Sequence, residues 1–304
     1  MSTRWPDFFL VGAPKCGTTT LFRYLEANEA LFLAPEKEPG FFCADLPFRH
    51  VTSEPDYAAL FADAGGERIA GEASPWYLYS RTAVPAILDR NPDARFIVLL
   101  RDPSRMAVSL YHHHRRAGIE PAPSFAAAWQ GQREGHLAEQ ELTQRAIPGF
   151  PYADACALGR QLRTLLDLAG AERVLPIVLD DLAQAPAEAL RRACAFLQVP
   201  LCLPDRFEAH NVSRLNRSEL LTRLWYGATR RGSAYWRLKR AVNALGLRPG
   251  RFLFDRVITR EAGHRAPPAW LEAELRERFA PEVRLLEQLL GRRLDHWLTA
   301  PPGP

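Results

Sequence analysis

The chain has 304 residues, of which 47% are hydrophobic and 24% are charged, and its formal net charge is +4. This length suits one large α/β domain or two small ones with a sizeable buried core. No apolar run approaches the roughly 20 residues that span a bilayer, and the N-terminus lacks the hydrophobic core of a signal peptide, so we expect no transmembrane segment and a cytoplasmic location.

Strand and helix patterns alternate along the first 200 residues. Apolar runs with charged ends predict four buried parallel strands, which are Phe8–Val11, Arg68–Gly71, Arg95–Leu100 and Val174–Leu179. Amphipathic patterns predict five helices, which are Thr19–Asn28, Thr82–Arg90, Ser104–Arg116, Tyr152–Ala169 and Pro186–Leu197. This alternation is typical of an α/β fold with a doubly wound central parallel sheet flanked by helices.

Beyond about residue 200 the pattern changes to loops and helices. Ala269–Leu290 is a long helical pattern in which Pro281 predicts a break or kink, and Gly291 is expected to cap its end. No internal repeat or linker-like segment divides the chain. We therefore expect a single domain over residues 1–304, with a core at about 5–200 and a helical, basic C-terminal elaboration at about 205–300.

Positive charge is concentrated in residues 211–260. This stretch holds twelve Lys or Arg residues and two acidic ones, so its charge is +10 and the rest of the chain carries about −6. Arginines alternate there with aromatic residues such as Trp225 and Tyr226, a composition that binds anionic sugars, lipid headgroups or nucleic acid. An amphipathic helix with solvated arginines is an equally good interpretation.

The stretch Gly12–Thr20 (GAPKCGTTT) lies between the first predicted strand and the first predicted helix. A helix N-terminus presents unpaired backbone N–H groups and the positive end of the helix dipole to an anion. Gly12 and Gly17 let the backbone approach a ligand, the threonines add hydroxyl donors, and Lys15 adds a cation. The loop predicts a phosphate or sulfate site, and the alternative is an ordinary helix cap with a solvated lysine.

The lysine is displaced from the position that it has in nucleotide P-loops. The pattern GxxxxGK[ST] places Lys directly after the second glycine, whereas this chain has Thr18 there and Lys15 within the loop. The acidic strand end Leu179–Asp181 is only a weak candidate for holding magnesium. These features disfavour metal-dependent ATP hydrolysis.

Five cysteines are scattered at positions 16, 43, 156, 194 and 202. They form no CxxC pair and no Cys/His spacing typical of zinc sites, so we expect free thiols. Cys16 lies inside the candidate loop. A small loop filler is favoured there over a nucleophile, because no acid or base adjoins it in sequence.

Several stretches together resemble the sulfotransferases that use 3′-phosphoadenosine 5′-phosphosulfate (PAPS). GAPKCGTTTLFRYL resembles their 5′-phosphosulfate loop, and RFIVLLRDPSRMAVSLYHHHRR (95–116) is similar to their 3′-phosphate segment. GEASPWYL (71–78), HNVSRLNRS (210–218) and the C-terminal LLEQLLGRRLDHWL also fit bacterial members and relatives of glycan sulfotransferases. The resemblance covers nearly the whole chain and implies a P-loop-like fold.

The resemblance also implies in-line transfer of a sulfuryl group from PAPS to a hydroxyl or amine, with release of adenosine 3′,5′-bisphosphate (PAP) and no metal. Lys15 would contact the bridging oxygen that leaves with the phosphate. The 5′-phosphate would be held by Cys16, Gly17, Thr18, Thr19 and Thr20, the 3′-phosphate by Arg101 and Ser109, and the closing loop would contribute Ser213 and Arg217. The alternative for Arg101 is an ion pair with Asp102 at the end of the predicted strand Arg95–Leu100.

The resemblance places the catalytic base at Glu38, within APEKEPGFF (34–42), where a buried glutamate with a raised pKa would take the proton of the acceptor. A solvated Glu–Lys–Glu turn is the alternative. His113 matches an active-site histidine of glycan members. His112 and His114 are expected to face solvent or partners, because successive helix residues are about 100° apart. Glu72 would orient Lys15, contact the acceptor or form a structural ion pair.

The acceptor can be a glycan, a lipid or a small metabolite. The resemblance implies that the basic region 211–260 determines which of these is used. Peripheral membrane contact stays open as well, nucleic acid is not expected as a partner, and the oligomeric state is undetermined. Two functions compete with sulfotransfer: a P-loop nucleotide kinase and a non-catalytic relative that has kept the nucleotide pocket.

Overall fold

The computed structural model describes residues 4–46, 49–66, 68–117, 120–133, 151–204, 206–207, 214–216, 259–261 and 267–299. Two compact units are present. The first comprises Met1–Ala107, Ala153–Asn211 and Glu272–Pro304, and the second comprises Val108–Tyr152 and Val212–Leu271. The expectation of a single domain over residues 1–304 stays a prediction.

The first unit is built on a parallel sheet of five strands. In chain order these are β1 (Phe8–Gly12), β2 (Leu31–Leu33), β3 (Ile69–Ala73), β4 (Arg95–Leu100) and β5 (Val174–Val178). Their order across the sheet is β2-β3-β1-β4-β5, with β1 at the centre. Every residue of β1 is buried, as are five of the six residues of β4, which is why both read as continuous apolar runs.

Helices flank this sheet, as the sequence predicts. In chain order the described helices are α1 (Thr18–Glu26), α2 (Glu54–Ala59), α3 (Ala83–Arg90), α4 (Pro103–Arg116), α5 (Phe125–Arg133), α6 (Tyr152–Ala155), α7 (Leu158–Ala169), α8 (Leu179–Gln184), α9 (Pro186–Leu197) and α10 (Ala269–Leu290). Short 3₁₀ turns occur at Pro75–Tyr77, Ala171–Arg173 and Asp295–Trp297. The doubly wound α/β fold is confirmed.

The elements differ from the prediction in several places. Helices α2, α5 and α8 were not predicted. Strand β2 was not predicted, because three residues closely followed by Pro35 are too short to show a strand pattern. The single helix predicted over 152–169 is divided into α6 and α7. The side-chain amide of Gln161 donates to the carbonyl oxygens of Asp154 (2.9 Å) and Ala155 (3.2 Å), so it satisfies the open end of α6.

The C-terminal helix has the predicted bounds but not the break that Pro281 was expected to cause. Helix α10 runs through Pro281 without a break, and Gly291 directly after it has the left-handed φ of 62° that ends helices. The second unit contributes a short antiparallel pair, β6 (Arg214–Asn216) with β7 (Thr259–Glu261). Most of the basic region 211–260 lies outside the described residues.

Candidate functional site

The loop between β1 and α1 has the backbone form of an anion cradle. Gly17 has φ 93°, and a Cβ built on it would lie 2.7 Å from a methyl carbon of Leu179. The N–H groups of Thr20 and Leu21 donate to the carbonyl oxygen of Gly17, so the first bonds of α1 start there. The N–H groups of Thr18 and Thr19 precede these bonds and have no acceptor within the helix. Only glycine satisfies both demands on position 17.

Lys15 lies in the same loop in a left-handed conformation, with φ 65°. Such backbone is uncommon for a residue with a side chain and points to functional positions when surrounding contacts enforce it. One of those contacts comes from Arg101, whose Nη1 donates to the carbonyl oxygen of Lys15 at 3.0 Å. The loop is also joined to β4 through the N–H of Ala13, which donates to the carbonyl oxygen of Leu99 at 2.7 Å.

Strand order explains why Arg101 reaches this loop. Strands β1 and β4 are neighbours, but the chain leaves them toward opposite sides of the sheet, toward β2 and β3 in one case and toward β5 in the other. Ligands of open α/β sheets bind at the carboxyl edge where this reversal occurs. The structure therefore brings together Lys15 and Arg101, two residues that are far apart in sequence.

Asp102 interacts electrostatically with Arg101, but the hydrogen bonds of its carboxylate go to the start of helix α4. Its carboxylate accepts from the N–H of Ser104 at 2.8 Å, which caps helix α4, and it lies 3.6 Å from Arg105. Burial raises the pKa of Asp102, although the hydrogen bonds from Ser104 and Arg105 oppose that rise. Asp102 thus serves as a helix cap, and the charge of Arg101 is close enough to oppose the rise in its pKa as well.

Ser109 and His113 lie on helix α4 within the second unit. Both are partly buried, and Nδ1 of His113 lies 3.3 Å from Nη2 of Arg116. His114 is 4% exposed, with its ring centroid 6.1 Å from that of Tyr152. The prediction that His114 faces solvent or a partner is therefore wrong, because it is packed inside its own unit.

Cys16 is fully buried within the loop. Burial raises the pKa of its thiol to about 12, although Arg101 and Lys15 oppose that rise. Its Sγ lies 3.4 Å from the carbonyl oxygen of Pro14 and 3.8 Å from Sδ of Met106. A protonated, enclosed thiol is not a nucleophile, so the side chain of Cys16 is a loop filler.

Glu38 lies beside the end of β3. Its N–H donates to the carbonyl oxygen of Ala73 at 2.9 Å, and its backbone is left-handed with φ 63°. The carboxylate is 46% exposed and lies 2.7 Å from Nζ of Lys37. Glu38 therefore reaches the carboxyl edge of the sheet, but it does not have the buried surroundings expected for it.

Those buried surroundings belong to Glu72, at the end of β3. Its side chain accepts three hydrogen bonds of 2.7 Å, from the hydroxyls of Tyr57, Ser74 and Tyr77. Burial raises the pKa of Glu72 to about 7, and the three hydrogen bonds oppose that rise. From the sequence, Glu72 was expected to orient Lys15, to contact the acceptor or to form an ion pair. In the structure, hydroxyl groups surround its carboxylate instead. The Ser and Tyr that follow it in GEASPWYL are the signal that indicates this cluster.

The acidic strand end Leu179–Asp181 is occupied by the C-terminal segment. Oδ2 of Asp180 accepts from Nε1 of Trp297 at 2.8 Å and lies 3.1 Å from Nε2 of His296. Although burial opposes it, these hydrogen bonds lower the pKa of Asp180. Asp181 pairs with Arg292 at 2.5 Å. In the described residues both carboxylates thus serve to hold the end of the chain.

Three other expectations stand as follows. Ser213 and Arg217 lie outside the described residues. Among the residues described, no cluster of three or more His, Cys, Asp or Glu is arranged to hold a metal ion, and no helix is long and apolar enough to cross a membrane.

Comparisons with known proteins agree with this geometry. The family described as "Sulfotransferase domain" matches residues 5–216. A crystallised sulfotransferase from Alicyclobacillus acidocaldarius is 27% identical, with 97% of this chain and 100% of that chain covered and a TM-score of 0.70.

A membrane-associated sulfotransferase of Dictyostelium discoideum is 29% identical over 107 residues, which is 35% of this chain. The match covers 22% of that protein, so this chain corresponds to less than a quarter of its length. Because the family match extends over more than half of the chain and includes both β1 with its loop and β4 with Arg101, this protein belongs to the sulfotransferase family.

Proposed function

We propose that this sulfotransferase transfers the sulfuryl group of PAPS, in line and without a metal, to a hydroxyl or amine of an acceptor. The observation that carries the proposal is the hydrogen bond from Arg101 to the carbonyl oxygen of Lys15. It joins the two segments that resemble the 5′-phosphosulfate loop and the 3′-phosphate segment at the edge of the sheet where ligands bind. A donor with phosphate groups at both its 5′ and 3′ positions suits such a pair.

Lys15 and the start of α1 are assigned to the reacting end of the donor. The first-turn N–H groups of α1 and the side chains of Thr18, Thr19 and Thr20 hold the 5′-phosphate, together with the N–H of Gly17. Cys16 shapes this loop, since its N–H donates to the carbonyl oxygen of Ala13 at 3.2 Å. Lys15 neutralises the charge that develops on the bridging oxygen as the sulfuryl group departs. Its place within the loop suits that oxygen better than the end of a nucleotide triphosphate chain.

Arg101 and Ser109 are assigned to the 3′-phosphate. Arginine binds phosphate with two parallel hydrogen bonds, and one of the Arg101 nitrogens is already fixed by the loop carbonyl. Ser109 follows two turns later on helix α4. Ser213 and Arg217 are proposed to close over the nucleotide.

Glu38 is proposed as the base that takes the acceptor proton, with His113 as a second active-site group. The position of Glu38 beside Ala73 at the carboxyl edge of the sheet supports the first assignment. Its exposed carboxylate is open to an incoming acceptor, and the ammonium group of Lys37 lies 2.7 Å from it. A glycan is the proposed acceptor class, with lipids and small metabolites as alternatives.

A reducing compartment such as the cytosol is proposed for this protein. All five cysteines are free thiols, and four of them are buried. Paired cysteines are typical of oxidising compartments, and a chain with five unpaired ones fits the cytosol better.

The test is turnover of ³⁵S-labelled PAPS against a panel of glycan, phenol, lipid and amine acceptors. We expect transfer by the native chain and a loss of at least about 100-fold in kcat for Lys15→Ala, the scale of removing one charge-stabilising donor. Arg23→Ala, at an exposed cation on α1 that pairs with Glu26, is the matched control and keeps native activity. Full activity in Lys15→Ala contradicts its assigned role.

Calorimetry with PAP and with ATP plus Mg²⁺ distinguishes the competing classes. Preference for PAP supports the proposal, whereas magnesium-dependent ATP binding of higher affinity indicates a nucleotide kinase. Tight PAP binding without transfer to any acceptor indicates a non-catalytic relative.

A further inference from the structure

Glu72 forms the centre of a buried hydrogen-bond network that the proposed chemistry does not use. The carboxylate is 1% exposed. Oε1 accepts from the hydroxyls of Tyr57 and Tyr77, and Oε2 accepts from the hydroxyl of Ser74, each at 2.7 Å. A buried carboxylate is costly unless several hydrogen bonds satisfy it, and here three hydroxyl groups do so.

Two of these hydroxyls also accept hydrogen bonds from the segment that carries Glu38. The N–H of Gly40 donates to Oγ of Ser74 at 3.1 Å, and the N–H of Phe42 donates to the hydroxyl of Tyr77 at 3.3 Å. A third bond, from the N–H of Glu38 to the carbonyl oxygen of Ala73, measures 2.9 Å. We call residues 38–42 the base loop.

The carboxylate fixes the direction of both hydroxyl groups. A hydroxyl has one proton to donate and two lone pairs. When its proton points at Glu72, its lone pairs are left for the N–H of the base loop. Removing the carboxylate frees each hydroxyl to rotate, so both backbone bonds weaken together.

The conformation of the base loop requires such support. Glu38 and Gly40 both have left-handed backbone, with φ 63° in each case. For Glu38 this conformation is unfavourable, so surrounding contacts must hold it. Along the chain β2 precedes Glu38, whereas the bonds to Ser74 and Tyr77 come from residues that follow it. Arg49 and Thr82 also donate to carbonyl oxygens of this loop, at 2.7 and 3.2 Å.

We propose that Glu72 is a positioning residue: through Ser74 and Tyr77 it holds the base loop, and with it the carboxylate of Glu38, in the geometry for proton transfer from the acceptor. This inference rests on the proposed role of Glu38 as the base. Glu72 itself does not touch the acceptor, because its side chain is enclosed. It acts on the reaction only by limiting the positions that Glu38 can take.

Two matched variants separate positioning from general stability. Tyr57→Phe and Tyr77→Phe each remove one 2.7 Å hydrogen bond to the same oxygen of Glu72 and keep the aromatic ring. Only Tyr77 also accepts from the base loop. Both variants are expected to fold, since each keeps its ring packing, and circular dichroism verifies this.

The first measurement is amide hydrogen exchange at Phe42 and Gly40, which needs no acceptor. We expect exchange at Phe42 to increase at least about 5-fold in Tyr77→Phe, the scale of losing one hydrogen bond of about 1 kcal/mol. In Tyr57→Phe it is expected to stay within about twofold of the native rate. Glu72→Gln is expected to raise exchange at both Phe42 and Gly40. Native exchange at both Phe42 and Gly40 in Glu72→Gln overturns the proposal, because that variant keeps both acceptor hydroxyls.

The second measurement is steady-state kinetics with PAPS and the acceptor that the panel identifies. We expect Tyr77→Phe to lower kcat by about 10-fold, since misplacing a base costs rate, while the KM for PAPS and the Kd for PAP stay within about twofold. Tyr57→Phe is expected to keep at least half of the native kcat. Faster exchange at Phe42 with an unchanged kcat overturns the positioning role.

Failure of the proposed function has a different signature. If Glu38→Gln keeps native activity, Glu38 is not the base. If the native chain transfers sulfuryl to no acceptor, the donor assignment fails. In either case, amide exchange at Phe42 and Gly40 in Glu72→Gln still decides whether Glu72 holds the base loop.

Discussion

At the scale of single residues, burial separates two glutamates that lie on neighbouring segments. Glu72 is enclosed by three hydroxyl groups, and burial raises its pKa from 4.5 to about 7. Glu38 is 46% exposed beside Lys37. The enclosed glutamate is suited to holding structure in place, and the accessible one is suited to exchanging a proton with a ligand.

The raised pKa of Glu72 predicts how stability depends on pH. The carboxyl group of Glu72 loses its proton near pH 4.5 in the unfolded chain and near pH 7 in the folded chain. The free energy of unfolding therefore decreases as pH rises between these values, and Glu72 changes it little at higher pH. Glu72→Gln removes this dependence. We expect the difference in free energy of unfolding, variant minus native chain, to be about 2–3 kcal/mol larger at pH 8 than at pH 5. The size follows because one pKa unit corresponds to about 1.4 kcal/mol.

Urea unfolding at the two pH values measures this change. Glu29→Gln, at an exposed glutamate, is the control and is expected to follow the native chain. A constant difference between Glu72→Gln and the native chain at pH 5 and pH 8 contradicts the prediction.

Arg101 is predicted to distinguish nucleotides by their 3′-phosphate. Arg101→Ala is expected to weaken PAP binding by at least about 10-fold, because each hydrogen bond to a charged group contributes about 1.5–3 kcal/mol and arginine can make two of them to phosphate. Adenosine 5′-monophosphate, which lacks the 3′-phosphate, is the control ligand. Calorimetry with both ligands separates direct contact from damage to the loop, since the lost bond to Lys15 would weaken both equally.

At the scale of elements, helices α7 and α10 approach closely at a glycine. A Cβ on Gly159 would lie 2.6 Å from the backbone carbonyl oxygen of Glu282. The carboxylate of Glu282, 7% exposed, accepts from the N–H of Arg160 at 3.0 Å and from its Nε at 2.7 Å. Glu282 thus caps the start of α7 from the neighbouring helix.

Gly159→Ala is predicted to separate these helices. The added methyl group must displace backbone, so we expect a loss of about 1–3 kcal/mol in the free energy of unfolding. Gly131→Ala is the matched control, because nothing lies within 4 Å of the position of its Cβ. Alanine is the better helix former there by about 1 kcal/mol. Thermal unfolding of both variants tests the contrast, and equal melting temperatures contradict it.

Local pattern accounts for most elements but not for their junctions. The ends of α9 and α10 agree with the amphipathic pattern. The break between α6 and α7 was missed, because it depends on a side chain, Gln161, that follows the break and bonds back to Asp154 and Ala155. Strand β2 exists because β3 lies beside it, with Leu31 paired to Ile69.

At the scale of the whole molecule, the end of the chain is fastened to the end of β5. Trp297 is 4% exposed, and its indole nitrogen donates to Asp180 at 2.8 Å, while Arg292 pairs with Asp181. These contacts place residues from the C-terminus against the segment that follows the last strand of the sheet. They also use the two carboxylates that the sequence offered as a weak magnesium site.

Trp297→Ala is predicted to loosen this attachment. We expect a loss of about 3–5 kcal/mol in the free energy of unfolding, the usual cost of deleting a buried tryptophan, because the ring is removed and Asp180 loses a donor. His296→Ala is the control. It removes the exposed partner of the same carboxylate and is expected to cost less than about 1 kcal/mol. Chemical unfolding measures both, and equal losses contradict the prediction.

The sequence by itself determined the α/β class, the strand–loop–helix with its displaced lysine, and the resemblance that the family match confirms. These properties are local, because hydrophobic periodicity, the spacing of the glycines and the order of lysine and threonines in the loop can be read from consecutive residues. Only the tertiary structure showed that Glu72 is the buried glutamate, that Arg101 donates to the carbonyl oxygen of Lys15, and that Asp180 accepts from Trp297. Burial and strand order depend on which distant segments pack together, and no stretch of consecutive residues contains that information.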